Sequence, residues 1–405
     1  MKVVIIGGGA SGMMAAYSSA KEGNKVVLLE KNEKLGKKIY ITGKGRCNLT
    51  CAVEKNDFFS NVVNNPKFLY SCINALSPQD LVSFFESKRL KLKEERGKRI
   101  FPFSDKASDV TKTLEKSLIE LGVEIRLNTS VIEIISNNNQ VVGVKTQIEE
   151  IICDKVVVCT GGISYPTTGS TGDGYKFAKV FGHNIVQPKP ALVGVELKGS
   201  DFALLQGLSL KNVKLSVFND KKILFSDFGE MLFTHYGVSG PIVLSCSSVI
   251  NKFCLENLTL SIDLKPALNE QTLEQRLIRE FTENNAKNIT TAMRSLMPKS
   301  LIEVVLSKAK VSANKNCSQI TVKERNNILS TLKNLTFGVK KLRPIEEAII
   351  TSGGVDVKQI NPKTMESKLV KGLFFAGEVI DVDAFTGGFN LQIAFSTGFV
   401  AGKNA

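Results

Sequence analysis

Residues 1–31 constrain this chain more than any other stretch. Val3–Ile6 is a short run of β-branched residues, and Gly7, Gly9 and Gly12 follow it as G-x-G-x-x-G. Met13, Ala16 and Ala20 then recur at helical spacing, and a second apolar run, Val26–Leu29, ends in Glu30. A strand, a glycine turn, a helix and a second strand ending in an acid form a dinucleotide-binding βαβ unit. Gly7 allows the tight turn, Gly9 lets backbone approach a pyrophosphate, and Gly12 lets the helix pack close to the strand. The free N–H groups at the helix start suit phosphate oxygens. Glu30 can accept hydrogen bonds from a ribose.

At 405 residues the chain is long enough for two or three domains. No run approaches the roughly 18 apolar residues of a membrane span. The first strand begins at once, leaving no room for a signal peptide. The eight cysteines are scattered without a C-x-x-C pair, and only His183 and His235 represent histidine. The expectation is a cytoplasmic protein with reduced thiols and no metal centre. His183, after a helix and a glycine, reads as a surface residue. The formal charge of +14 is concentrated between Lys287 and Arg343, where twelve basic residues face only Glu303 and Glu324. That segment reads as a solvated helical surface, with polyanion binding as the alternative.

Residues 32–50 follow Glu30 as a glycine- and lysine-rich loop too irregular for a helix. In it Lys37, Lys38, Lys44 and Arg46 offer charge for phosphates. Pro66 and Pro78 open helical patterns, LKLKEERGKRIFPFS reads as a hairpin turning near Gly97, and Ser104 or Asp105 caps the next helix. Asn137–Gln140 turns a further hairpin. Val156–Val158 is a fully apolar strand running into Thr160-Gly161-Gly162. Alternation from Leu192 to Leu264 indicates an antiparallel sheet or small barrel, and helical periodicity follows from about Ala267 to Leu335. The chain then ends with a second nucleotide-type element. Leu373–Ala376 is a strand leading to Gly377-Glu378, and Gly387-Gly388 opens a helix rich in small residues. An acid there can hold a polyol, and the helix N-terminus can face an electron-rich ring edge. An NAD site needs no such second element, whereas an isoalloxazine on a ribityl chain does. The expected ligand is therefore FAD. The expected fold is α/β: a Rossmann-like FAD-binding domain with an inserted antiparallel β (barrel-like) domain and a small helical domain. The expected domains are 1–190 with 341–405, 191–265, and 266–340.

Several blocks extend this into a family resemblance. They are Gly7–Gly12, Thr42-Gly43-Lys44-Gly45-Arg46-Cys47-Asn48, Thr160–Gly162 with Ser164-Tyr165-Pro166, Phe233-Thr234-His235-Tyr236-Gly237-Val238-Ser239-Gly240-Pro241, and Gly377-Glu378 with Gly387–Asn390. Together they resemble the BaiN/YhiN-like NAD(P)/FAD-dependent oxidoreductases, flavoproteins of the glutathione-reductase-like FAD superfamily. The likeness runs through essentially the whole chain. It implies that Gly7, Gly9, Ala10, Ser11 and Gly12 hold the pyrophosphate, Glu30 the adenosine ribose and the Val131 backbone the adenine. Thr42, Gly43, Arg46, Cys47 and Asn48 would lie against the flavin, and Thr160, Gly161 and Gly162 would flank the nucleotide. Glu378, Asp381, Gly388, Phe389, Asn390 and Leu391 would hold ribityl and flavin. Lys31 and Lys38 join the cofactor-binding set. The superfamily's usual Gly-Asp is Gly377-Glu378 here, so Glu378 and Asp381 both remain open as the ribityl acid.

The catalytic group is unassigned, with three candidates. Cys47 is a redox thiol or a packed one, His235 a proton donor or a hydrogen-bonded loop histidine, and Tyr165 a substrate contact, as Tyr236 also is. Cys47 lacks a second cysteine for a dithiol relay. Gly169–Gly174 is glycine-rich but follows a loop, so no second NAD(P)H fingerprint is present. NAD(P)H as transient electron donor and oxygen as acceptor both stand, since the resembled family holds an unsaturated-ketone reductase and an amine-type oxidase. The leading function is reduction of an unsaturated or carbonyl-bearing small organic molecule. The alternatives are an oxygen-dependent oxidase, an RNA-acting flavoenzyme and a non-catalytic flavin sensor.

Overall fold

Five parallel strands built from short, almost wholly apolar segments carry the first nucleotide turn. In the computed structural model, which describes residues 1–405, their order is Leu373–Phe375, Lys155–Val158, Lys2–Ile6, Lys25–Leu29 and Glu124–Arg126. Ile5 stands opposite Val157 on one side and Leu28 on the other. Val3–Ile5 and Val156–Val158 have no exposed surface, because helices or loops cover both faces of a parallel sheet. Both strands that lead into glycine turns therefore lie side by side, with Leu373–Phe375 next to them.

The helix Ala10–Lys21 packs along the C-terminal helix Phe389–Asn404. Small residues make that approach possible. A Cβ on Gly398 would lie 2.2 Å from the Ser11 carbonyl oxygen, and one on Gly402 would lie 2.0 Å from that of Ala15. Gly377 N–H donates to Thr397 Oγ1 at 3.0 Å, tying the strand-end turn to the same helix.

Met1–Pro190 and Ile345–Ala405 form one compact unit, and Ala191–Pro344 forms the other. Within the first, a hairpin of Val131–Asn137 and Gln140–Thr146 turns at left-handed Asn138 and Asn139. Ser77 caps the helix Pro78–Ser87 in a reciprocal pair with Asp80. Three local expectations fail. Lys37–Ile41 forms a helical turn inside the stretch read as loop. Lys106, without a side-chain cap, precedes the helix Ala107–Glu120, while Asp105 is drawn to Lys93 and Arg46 instead. His183 is 3% exposed, with Nε2 2.8 Å from Ser367 Oγ and its ring edge-on to Phe375. A glycine after a helix signals a turn, and this turn folds inward.

The second unit holds a closed antiparallel barrel in the order Val195–Leu197, Gly237–Ser239, Lys222–Thr234, Ser209–Asn219, Leu258–Asp263 and Leu335–Leu342. Val213, Leu215, Val217, Leu260 and Ile262 alternate into its interior, as the sequence pattern requires. Its last strand arrives only after the helices Glu270–Glu283, Lys299–Ala309 and Val322–Lys333. No helix of the chain is long and apolar enough to cross a membrane.

Candidate functional site

Within the first unit one cleft connects the N-terminal glycine turn to the start of the C-terminal helix. It encloses about 1310 Å³, part of it open to solvent. Gly7, Gly9, Ala10, Ser11, Glu30, Lys31, Lys38, Thr42, Val131, Thr160, Gly161, Glu378, Asn390 and Leu391 line it. Residues from the two ends of the sequence thus share one wall.

Each end contributes a helix N-terminus without a side-chain cap, at Gly9 and at Gly388. Such ends leave several backbone N–H groups without partners in the helix, and they attract electron-rich groups. Gly7 has φ +103°, a conformation that permits the turn, and a Cβ on Gly9 would meet nothing within 4 Å. Backbone is therefore laid bare to the cleft where the sequence placed a pyrophosphate. Thr160 Oγ1 is buried with no hydrogen-bond partner, so a ligand group can satisfy it. Uncapped helix ends, bare backbone and an orphaned hydroxyl along one elongated cleft fit FAD.

The two strand-end acids differ. Glu30, 8% exposed, receives Gly8 N–H at 2.7 Å and the backbone and side-chain N–H groups of Asn32 at 2.8 and 2.6 Å. Glu378 Oε1 accepts from Ser164 Oγ at 2.8 Å and Thr351 N–H at 2.9 Å, and its Oε2 pairs with Lys38 Nζ at 2.6 Å. Lys38 also donates to Ser164 Oγ at 2.6 Å. Lys38 is thus the counter-ion of Glu378, held away from the phosphate role its charge suggested. Lys31 is likewise paired, with Asp173 at 2.8 Å.

The remaining expected residues support the cleft or lie elsewhere. Gly12 does not line it; a Cβ there would stand 1.8 Å from the Gly7 carbonyl oxygen. Gly162 packs against Thr351, and Gly388 against the Thr50 backbone. Phe389 is buried edge-on to Phe58. Asp381 accepts from Asn65 Nδ2 at 3.0 Å and does not line the cleft, whereas Glu378 does. A Cβ on Gly43 would lie 2.8 Å from Asn48 N, and the Oδ1 of Asn48 is buried without a partner. Arg46 is engaged by Glu95 and Asp105. Cys47 is wholly buried, and burial pushes its thiol up to about 12, which leaves it without the thiolate that redox chemistry uses. Tyr165 is half-buried in a left-handed turn outside the cleft lining. His235 belongs to the barrel unit, exposed between the strands Lys222–Thr234 and Gly237–Ser239, with its ring 5.0 Å from that of Tyr236.

Sequence reading missed Asn32, Thr129, Ser130, Thr168, Gly169, Ser170, Asp173, Phe177 and Ile350, all of which line the cleft. The signal for three of them, Gly169, Ser170 and Asp173, was Gly169–Gly174, set aside because it follows a loop. Asn32 Nδ2 draws that loop in by donating to the Thr168 carbonyl at 3.2 Å. In the basic segment, half of the twelve cations are paired with acids: Lys308 with Asp201, Lys315 with Glu324, Arg325 with Glu274, Lys333 with Asp263, and Lys341 and Arg343 with Glu196.

The family model described as HI0933-like protein Rossmann domain matches residues 1–404. The 3-dehydro-bile acid delta(4,6)-reductase of Clostridium scindens is 30% identical over 408 residues, covering 100% of this chain and 98% of the relative. The ribosomal RNA dihydrouridine synthase of Haemophilus influenzae is 31% identical over 404 residues, covering 98% and 96%. Among solved structures, 3-ketosteroid delta1-dehydrogenase from Sterolibacterium denitrificans superposes with a TM-score of 0.53 at 14% identity, over 99% of this chain and 98% of that one. This last likeness is one of fold.

Proposed function

We propose that this chain, which belongs to the HI0933-like family of FAD-dependent oxidoreductases, reduces a carbon–carbon double bond conjugated to a carbonyl, with NAD(P)H as electron donor. One observation carries the choice of bond. Two relatives matched along nearly the whole chain are named for steps that share one bond change. A delta(4,6)-reductase saturates a ring alkene of a 3-ketone. Dihydrouridine is uridine with the double bond beside its C4 carbonyl saturated.

Bound FAD would supply the hydride, and the protein would supply position and electrostatics. Gly9–Ser11 would meet the pyrophosphate with backbone N–H groups, and Glu30 would take a ribose hydroxyl. Asn390 and Leu391, on the first turn of the C-terminal helix, would put N–H groups and the positive end of the helix dipole beside the ring edge that gains electron density. The neutralised Lys38–Glu378 pair leaves no bare carboxylate to oppose that charge.

The test is anaerobic mixing of the purified, FAD-loaded protein with NADH or NADPH, then with a conjugated cyclic enone. Bleaching of oxidised flavin by the nucleotide, and its return on adding the enone, is the expected result. Bleaching by neither nucleotide would sink the reductase reading and favour an oxidase.

A second reading keeps the bond change but places the alkene on a uridine within RNA. The formal charge of +14 and the dihydrouridine synthase relatives support it. The six neutralised cations of the basic segment weigh against it. Filter binding of RNA whose affinity does not fall as salt rises would remove it.

A further inference from the structure

The T-G-K-G-R-C-N loop holds an unusual backbone. Gly43, Lys44, Gly45 and Cys47 all have positive φ, at 57°, 59°, 86° and 61°. Two of them, Lys44 and Cys47, carry a Cβ that this conformation penalises. Such strain persists only where the surroundings impose it. At its start the loop carries Thr42, which lines the cleft. Just beyond its end, Thr50 Oγ1 donates to Gln392 Oε1 at 2.6 Å and the Thr50 backbone backs Gly388. The loop therefore spans from the cleft wall to the start of the C-terminal helix.

Within this loop Arg46 is gripped from three sides. Its Nε donates to Asp105 Oδ1 at 2.7 Å, its Nη2 binds Glu95, and its guanidinium lies 4.3 Å from the centre of the Phe101 ring. Lys93 Nζ holds Asp105 from the other side at 2.6 Å. Glu95 and Phe101 sit on the paired strands Leu92–Glu95 and Arg99–Pro102, whose second strand also pairs with Thr50–Cys51. A planar fork with two carboxylates and a ring face fixes a guanidinium in position and orientation.

We infer that Arg46 is a positioning residue: the Glu95–Asp105–Phe101 clamp grips it and thereby holds the Thr42–Cys47 loop in its left-handed form against the cleft before the cofactor arrives. Arg46 does not itself contact a cofactor phosphate. The inference rests on the FAD reading for its ligand, and on the loop geometry alone for its mechanism.

The two roles for Arg46 predict opposite signs. With the clamp, Glu95→Gln combined with Asp105→Asn weakens FAD binding on the order of 10- to 100-fold, as Arg46→Met does, and combining all three changes adds little. With a direct phosphate contact, freeing Arg46 from its carboxylates leaves FAD affinity unchanged or raises it, and that result overturns the inference. Lys44→Gly, which removes the Cβ penalty, should recover part of the affinity lost in Arg46→Met; no recovery also counts against the clamp. The measurements are FAD titration of the flavin-stripped full chain and, without any flavin, the trypsin cleavage rate at Lys44. Faster cleavage in the clamp variants supports the inference even if the chain proves to bind another nucleotide. Unchanged cleavage in all of them overturns it.

Discussion

Glu30 and Glu378 occupy equivalent places, each just beyond a parallel strand at opposite ends of one cleft, yet their surroundings make them different groups. Glu30 is surrounded only by N–H donors, from Gly8 and Asn32. Its Oε2 accepts only the Gly8 N–H, which leaves a lone pair for a further donor. Glu378 is bound by an ammonium, a hydroxyl and a backbone N–H from three separate segments, and it ties those segments together. The same residue type at the same kind of strand end is held by neighbouring N–H donors in one place and is a structural hub between distant segments in the other.

The largest test of this contrast removes the packing that the two ends share. Gly398→Val drives a side chain into the Ser11 carbonyl, 2.2 Å from an ideal Cβ. It should cost about 3 kcal/mol or more in urea unfolding and abolish FAD retention. Next, Lys38→Met strands the largely buried Glu378 and should cost about 3 kcal/mol, most of it recovered in the double variant with Glu378→Gln. A loss below about 0.5 kcal/mol would mean that the pair behaves as a surface ion pair and that the contrast is false. Glu30→Gln should cost roughly 1–2 kcal/mol in stability, because Gly8 and Asn32 lose a charged acceptor, together with about a tenfold loss of FAD affinity in titration.

Acid should weaken the C-terminal end selectively. Burial holds His183, packed on Phe375, below the ordinary histidine value of 6.5. The unfolded chain therefore binds the proton more readily. Stability is complete above that value and falls as pH drops below it. Melting temperatures at about pH 7.5 and about pH 5 should differ more for the wild type than for His183→Gln. The smallest effect concerns the N-terminal end. Gly9→Ala meets open space and should change stability by less than about 0.5 kcal/mol while still lowering FAD affinity.

The parallel sheet, both glycine turns and the barrel were legible because their signals are local: a β-branched run, a spaced glycine triplet, strict alternation. The partners of charged side chains were not. Lys38 and Arg46 read as charge for phosphates by neighbourhood, and Lys31 as part of the cofactor-binding set. Their actual partners, Glu378, Asp105 and Asp173, lie 340, 59 and 142 positions away. His183 failed for the same reason, since Ser367 is 184 positions distant. The hairpin turn at Asn137–Gln140 and the helix start at Pro78 succeeded because everything they need lies within a few residues.

The crossing of the Ala10–Lys21 helix with Phe389–Asn404 also sets a timetable. On the ribosome the helix that covers Ser11 and Ala15 emerges more than 350 residues after the first βαβ unit. At about 5–20 residues per second, that delay is roughly 20–75 s. During that interval the nascent chain carries half a nucleotide cleft and an uncovered small-residue groove. Cofactor capture thus waits for the C-terminal helix, when the exposed groove finally closes.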